Sequence, residues 1–97
     1  MATNKQVLEA FTRYETASSG NLSTKLGVLY SYDKIIAAMQ CDIAHIGMFT
    51  AADGGFVSAT TSQHVTAALR VAKAQGCIIE KMNPDLAEEI FECLRNK

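Results

Sequence analysis

Along residues 4–17 the apolar positions recur at the spacing of one helical face. Val7, Leu8, Phe11 and then Tyr14 or Thr16 follow one another by about three or four residues. This predicts an amphipathic helix, with Thr3 or Asn4 as its N-cap. "SSGN" follows, and Gly20 suits a left-handed helix terminus. From residue 21 to about 49 the period shortens. "VLYSY" is rich in β-branched and aromatic residues, and Val28, Tyr30 and Tyr32 would share one face of a strand. Asp33-Lys34 reads as a tight turn. "IIAAM" and "IAHIGMF" read as two further strands, the strand being preferred to a helix over 34–40. Asp53-Gly54-Gly55 is a turn signal, with a last short strand over 56–59.

The second half returns to helical spacing. Residues 61–75 carry Val65, Ala68, Leu69 and Ala72 along one face, and Gly76 stops them. Residues 77–80 read as a short strand or an extended connection. Asn83-Pro84 then opens a last helix: asparagine caps, and proline suits the first helical position. Asp85, Glu88 and Glu89 lie toward its positive end, Arg95 and Lys97 toward its negative end. Leu86, Ile90 and Leu94 are spaced by four, with Phe91 alongside. The expected fold is one α+β domain over residues 1–97. An N-terminal helix precedes an antiparallel sheet of three or four strands, and two C-terminal helices pack on one face.

Composition narrows the function. A chain of 97 residues with 48% hydrophobic content supports one small core, which homodimerisation would extend. Nine basic against ten acidic residues leave a net charge of −1, which argues against a general nucleic-acid binder and against a strongly acidic mimic. Cys41, Cys77 and Cys93 are odd in number and widely spaced, so buried free thiols in a reducing cytosol are expected. With two histidines and no clustered carboxylates, neither a metal nor another cofactor is expected. No apolar leader or membrane-spanning run is read from the sequence, so a cytoplasmic protein is expected.

The candidate chemistry centres on "TTSQH", with Thr60, Thr61, Ser62 and His64. A hydroxyl nucleophile needs a base within reach. Ser62 and His64 point about 200° apart on a helix, so they cannot form that pair. Thr61 or Ser62 as an N-cap is the preferred reading, with His64 a neutral hydrogen-bond partner for a strand residue or a binding partner. A helix start rich in hydroxyls also suits an anion. A small nucleotide- or nucleic-acid-binding module using the helix start near Thr61 is therefore the second reading. A small hydrolase using Ser62 or Cys41 is the third. His45, inside an apolar run, reads as half-buried. Tyr30 and Tyr32 would serve a sheet core or a protein-binding face rather than a base-stacking platform.

Two blocks carry a resemblance. "NLSTKLGVLYSYDKIIA" and "SATTSQHV" are similar to small accessory proteins of tailed bacteriophages, at Leu29, Tyr30, Ser31, Tyr32, Ile36 and Ala37, then at Ser58, Thr60, Thr61, Ser62 and His64. The likeness covers residues 21–64. Val57 stands where that family has an aromatic residue, with Phe56 beside it, and residues 75–97 extend past the family's usual length. The resemblance attaches no enzymatic activity. It implies a non-catalytic inhibitor in the cytoplasm of a bacterial host. Such a protein binds and sterically blocks a host protein or a defence complex, and an anti-CRISPR is one such type. Tyr30, Tyr32, Thr60, Ser62 and His64 are the expected protein-binding positions.

Overall fold

The computed structural model describes residues 3–50 and 57–95. Its order is α1 (Asn4–Thr12), β1 (Ala17–Ser19), β2 (Leu22–Lys25), β3 (Val28–Ser31), β4 (Lys34–Gln40), β5 (Ile43–Gly47), α2 (Ala59–Ala74), β6 (Ile78–Met82) and α3 (Pro84–Arg95). The six strands form one mixed sheet in sequence order, β1 through β6. The expected sheet of three or four antiparallel strands is thus too small and of the wrong type. The first five strands are an antiparallel meander, and β6 joins β5 in parallel. A parallel neighbour needs a crossover, which α2 supplies.

Each of the four hairpins turns through two residues: Gly20-Asn21, Leu26-Gly27, Tyr32-Asp33 and Cys41-Asp42. Two-residue turns whose twist matches the strands need positive φ at their first central residue. The four residues there have φ of 57°, 52°, 57° and 54°. Leu26, Tyr32 and Cys41 hold this conformation against their own Cβ atoms, at about 1–2 kcal/mol each. Gly27, at φ 80°, is required twice over: a Cβ there would lie 2.7 Å from the Tyr14 ring. The third turn is therefore one residue earlier than Asp33-Lys34, and Lys34 opens β4.

The helix predicted over 4–17 ends at Thr12. Thr3 caps it, exchanging hydrogen bonds with Gln6. Tyr14 ends it by turning left-handed, at φ 61°, and its hydroxyl donates to the Cys41 carbonyl at 3.0 Å. "SSGN" is then not a helix stop but β1 and its hairpin turn. The expected last strand over 56–59 is not formed: Phe56 lies outside the described residues, Val57 and Ser58 are in no strand, and Ala59 opens α2. The Asp53-Gly54-Gly55 turn also lies outside them. Strand β6 replaces the choice left open over 77–80. Asn83 caps α3 through its Oδ1, which accepts from the Leu86 N–H at 3.1 Å.

Helices α1 and α2 lie side by side on one face of the sheet. Val7, Leu8 and Phe11 from α1, with Val65, Ala68 and Ala72 from α2, bury Leu22, Leu29, Ala37, Ala44 and Ile46. Helix α3 covers the opposite face over β4 and β5, rather than joining α2 as expected. Gly47 marks the contact, since a Cβ there would sit 2.5 Å from the Phe49 ring and 2.9 Å from Ala87 Cβ. Two polar contacts tie α3 to the β3–β4 turn: Lys34 Nζ meets Glu88 Oε1 at 2.9 Å, and Arg95 Nη1 donates to the Asp33 carbonyl at 3.0 Å. The fold is a three-layer α/β/α sandwich of the α+β class.

Candidate functional site

Helix α2 begins two residues earlier than its sequence pattern suggests, and this changes the role of each hydroxyl. Ser58 is the N-cap, accepting from the Thr61 N–H at 3.1 Å. Neither Thr61 nor Ser62 caps. Thr61 instead turns inward, into the third position of the helix. There it begins a buried relay. The Ser58 hydroxyl donates to Thr61 Oγ1 at 3.1 Å, Thr61 Oγ1 meets Ser31 Oγ at 3.0 Å, and Ser31 Oγ meets His64 Nδ1 at 2.7 Å. The Ser31 hydroxyl thus lies between Thr61 Oγ1 and His64 Nδ1, able to donate to one and accept from the other. Burial holds His64 below the ordinary histidine range, in keeping with a neutral ring.

This relay joins α2 to β3 and explains why polar residues sit in the core. Ser31 and Thr61 are each 1% exposed, and His64 is 6% exposed. Among the described residues no buried side-chain N or O lacks a partner. Among the described residues only Ser31 is hydrogen-bonded to the His64 ring. The residue lines a polar groove of about 380 Å³ between the β1–β2 turn, α1 and α2. Gly20, Asn21, Asn4, Thr60 and Gln63 line that groove with His64.

The five expected protein-binding positions do not form one patch. Thr60 and His64 share this groove. Ser62 lies in a separate groove on α2 with Thr66 and Arg70. Tyr32 projects from the β3–β4 turn, beside Val57 and Ser58. Tyr30 points to the opposite sheet face from its neighbour Ser31 and is partly buried. It shares no strand face with Tyr32, which stands outside β3. Of the three cysteines, Cys41 and Cys93 are exposed, contrary to the buried thiols expected. Cys77 is half-buried, and burial, then the Asp42 charge, pushes its thiol up. His45 is half-buried as expected, its Nε2 within 3.1 Å of Gln40 Oε1.

A surface that the sequence pattern hid lies on the other face. The apolar residues spaced by four along α3 are not core: Leu86, Ile90 and Leu94 are 49%, 41% and 36% exposed. Ala87 and Phe91, one position around the helix, hold the sheet instead. The ladder walls a groove of about 470 Å³ whose floor is Ala38, His45 and Met82 and whose rim carries Gln40 and Glu80. A continuous apolar wall with a polar rim has the composition of a protein contact surface. Only its width could have revealed it: Leu86, Ala87, Ile90, Phe91 and Leu94 make a stripe broader than one small sheet face can cover.

Among the described residues no cluster of histidine, cysteine and carboxylate is arranged to hold a metal ion, and no helix is long and apolar enough to cross a membrane. No known protein family, curated protein or solved structure matches the chain.

Proposed function

We propose that this chain is a phage-encoded, non-catalytic inhibitor that binds a bacterial protein or defence complex and blocks it by occlusion, as an anti-CRISPR does. The observation that carries the binding role is the exposed Leu86-Ile90-Leu94 ladder and the groove it walls. A partner that fills this groove removes the exposed part of three large aliphatic side chains from water, 36–49% of each, worth about 0.5–1.5 kcal/mol apiece. The phage origin and bacterial target rest on the two sequence blocks and their resemblance.

The fate of the hydroxyls supports a non-catalytic role. Ser31, the serine that His64 touches, is 1% exposed and buried beneath α2, where a substrate cannot reach its Oγ. The test is affinity capture of the tagged protein from a bacterial lysate at high salt, in parallel with Ile90→Glu. A stoichiometric protein partner that is kept by the wild type and lost by the variant supports the proposal. Its purified activity must also fall as the inhibitor is added. A partner recovered equally by both proteins sinks the α3 groove as the contact, and unchanged partner activity sinks inhibition.

A further inference from the structure

The ladder of α3 is apolar, but what surrounds it is acidic. Around the helix, Ala87 and Phe91 face the sheet, while Asp85, Glu89 and Glu92 follow the ladder on its solvent side. All three acids are exposed. Across the groove, β6 adds Glu80, which the strand register sets beside His45 on the groove side of the sheet. Of the α3 acids, only Glu88 has a basic partner among the described residues, Lys34 at 2.9 Å. The basic side chains nearby are turned elsewhere. Lys34 and Arg95 are held at the β3–β4 turn, and Lys81 alternates to the opposite sheet face from Glu80. The ladder therefore carries unbalanced negative charge along both of its sides.

That charge selects among the occupants an apolar groove could take. A second copy of the chain would bring the same acids to both sides of the contact, and like charges brought together weaken it. An anionic membrane surface or a nucleic acid is repelled for the same reason. A basic, amphipathic protein helix meets both features. Leu86, Ile90 and Leu94 span about 12 Å at a rise of roughly 1.5 Å per residue, so a facing helix meets them with apolar side chains recurring every three or four residues. We propose that the α3 groove takes a helix of a partner protein whose apolar stripe is edged with lysine or arginine. Burial of the stripe supplies most of the affinity, and the charged edges set partner choice and the rate of approach. The basic helix rests on the reading of this groove as the binding surface, and gives the chemistry of what fills it.

The test is a two-dimensional 1H–15N NMR titration with three synthetic peptides of roughly 15 residues, about four helical turns each. One has leucines along a single helical face with lysines beside them. Another has the same composition with the leucines scattered around the helix. The last keeps the leucine face and has glutamates in place of the lysines. Only the lysine-edged peptide should move the His45, Ile90 and Leu94 amides saturably. Glu80 and Glu89 are exposed, so the pair Glu80→Lys with Glu89→Lys leaves the ladder intact. It should weaken the lysine-edged peptide roughly tenfold and shift the preference to the glutamate-edged one. Equal binding of these two peptides, wild-type affinity in the charge-reversed pair, or no saturable shift with the lysine-edged peptide overturns the inference. So does a homodimer that Ile90→Glu dissolves. Capture from lysate separates the two levels of failure. If the charge-reversed protein keeps its partner while Ile90→Glu loses it, the groove stands and its basic occupant is wrong. If Ile90→Glu keeps the partner, the groove itself is not the contact.

Discussion

Replacing Ser31 with alanine deletes one hydroxyl and strands two of its neighbours. In the native chain that hydroxyl is hydrogen-bonded to His64 Nδ1 at 2.7 Å and to Thr61 Oγ1 at 3.0 Å. Both partners are buried, so water does not replace what is lost. An orphaned buried polar group costs about 1–3 kcal/mol, and two of them predict a loss of about 2–6 kcal/mol in Ser31→Ala. A domain of this length has a total stability of about 5–15 kcal/mol, so this is a large share of the whole. The variant's urea midpoint, read by circular dichroism at pH 7.5, should fall with unchanged slope. The double variant Ser31→Ala with Thr61→Val removes a donor together with its acceptor. It should therefore lose less than the two single losses added, by about 0.5–3 kcal/mol of coupling. If Ser31→Ala stays within about 0.5 kcal/mol of wild type, a range ordinary for surface changes, the buried relay does not hold α2 to β3. Strict additivity in the double variant would refute it as well.

Three further outcomes follow from other parts of the molecule. Because burial lowers the His64 pKa in the folded chain, the unfolded chain binds more protons just below about pH 6.5. Stability from this group is full above that pH and is lost as pH falls toward the lowered native value; urea midpoints measured from pH 7.5 to 5.5 should decline, and a flat profile would contradict it. Leu26 is 70% exposed at φ 52° and precedes Gly27, so Leu26→Asn creates an Asn-Gly turn and should stabilise by roughly 0.5–1 kcal/mol in thermal melts. Gly47→Ala drives a methyl into the Phe49 ring and Ala87, and should cost about 1–3 kcal/mol by the same melts, with α3 loosened in hydrogen exchange.

The sequence was most legible where side-chain pattern and backbone chemistry agreed. Asn83-Pro84 announced α3, and the alternation of "VLYSY" announced β3. His64 as a neutral partner of a strand residue could be read from its place in an early helical turn. Strand β1 could not, because Ala17, Ser18 and Ser19 bring almost no apolar signal and pair only through the backbone. Strand β2 hid for a related reason. Thr24 is buried, and its hydroxyl is satisfied by donating to the Val28 carbonyl at 3.0 Å, a contact that period counting does not register. The parallel pairing of β6 depends on a crossover rather than on local composition. The cap of α2 was misplaced by three or four residues because Ser58, Thr60, Thr61 and Ser62 offer several equivalent starts. The exposure of the Leu86 ladder was not legible, because spacing shows that a face is apolar, not whether anything covers it.

The parallel β5–β6 pair sets an order of events during synthesis. The first five strands meet through two-residue turns, so they register as soon as they leave the ribosome, at little loop-closure cost. Strand β5 then waits with one edge bare until α2 and β6 have been made. During that interval Ile43–Gly47 is an apolar template that a neighbouring nascent chain can pair with. The residues following Ala74 therefore act as an intramolecular guard. A ribosome stalled within α2 should yield chains that aggregate through β5, and release of the same chains past Met82 should abolish it.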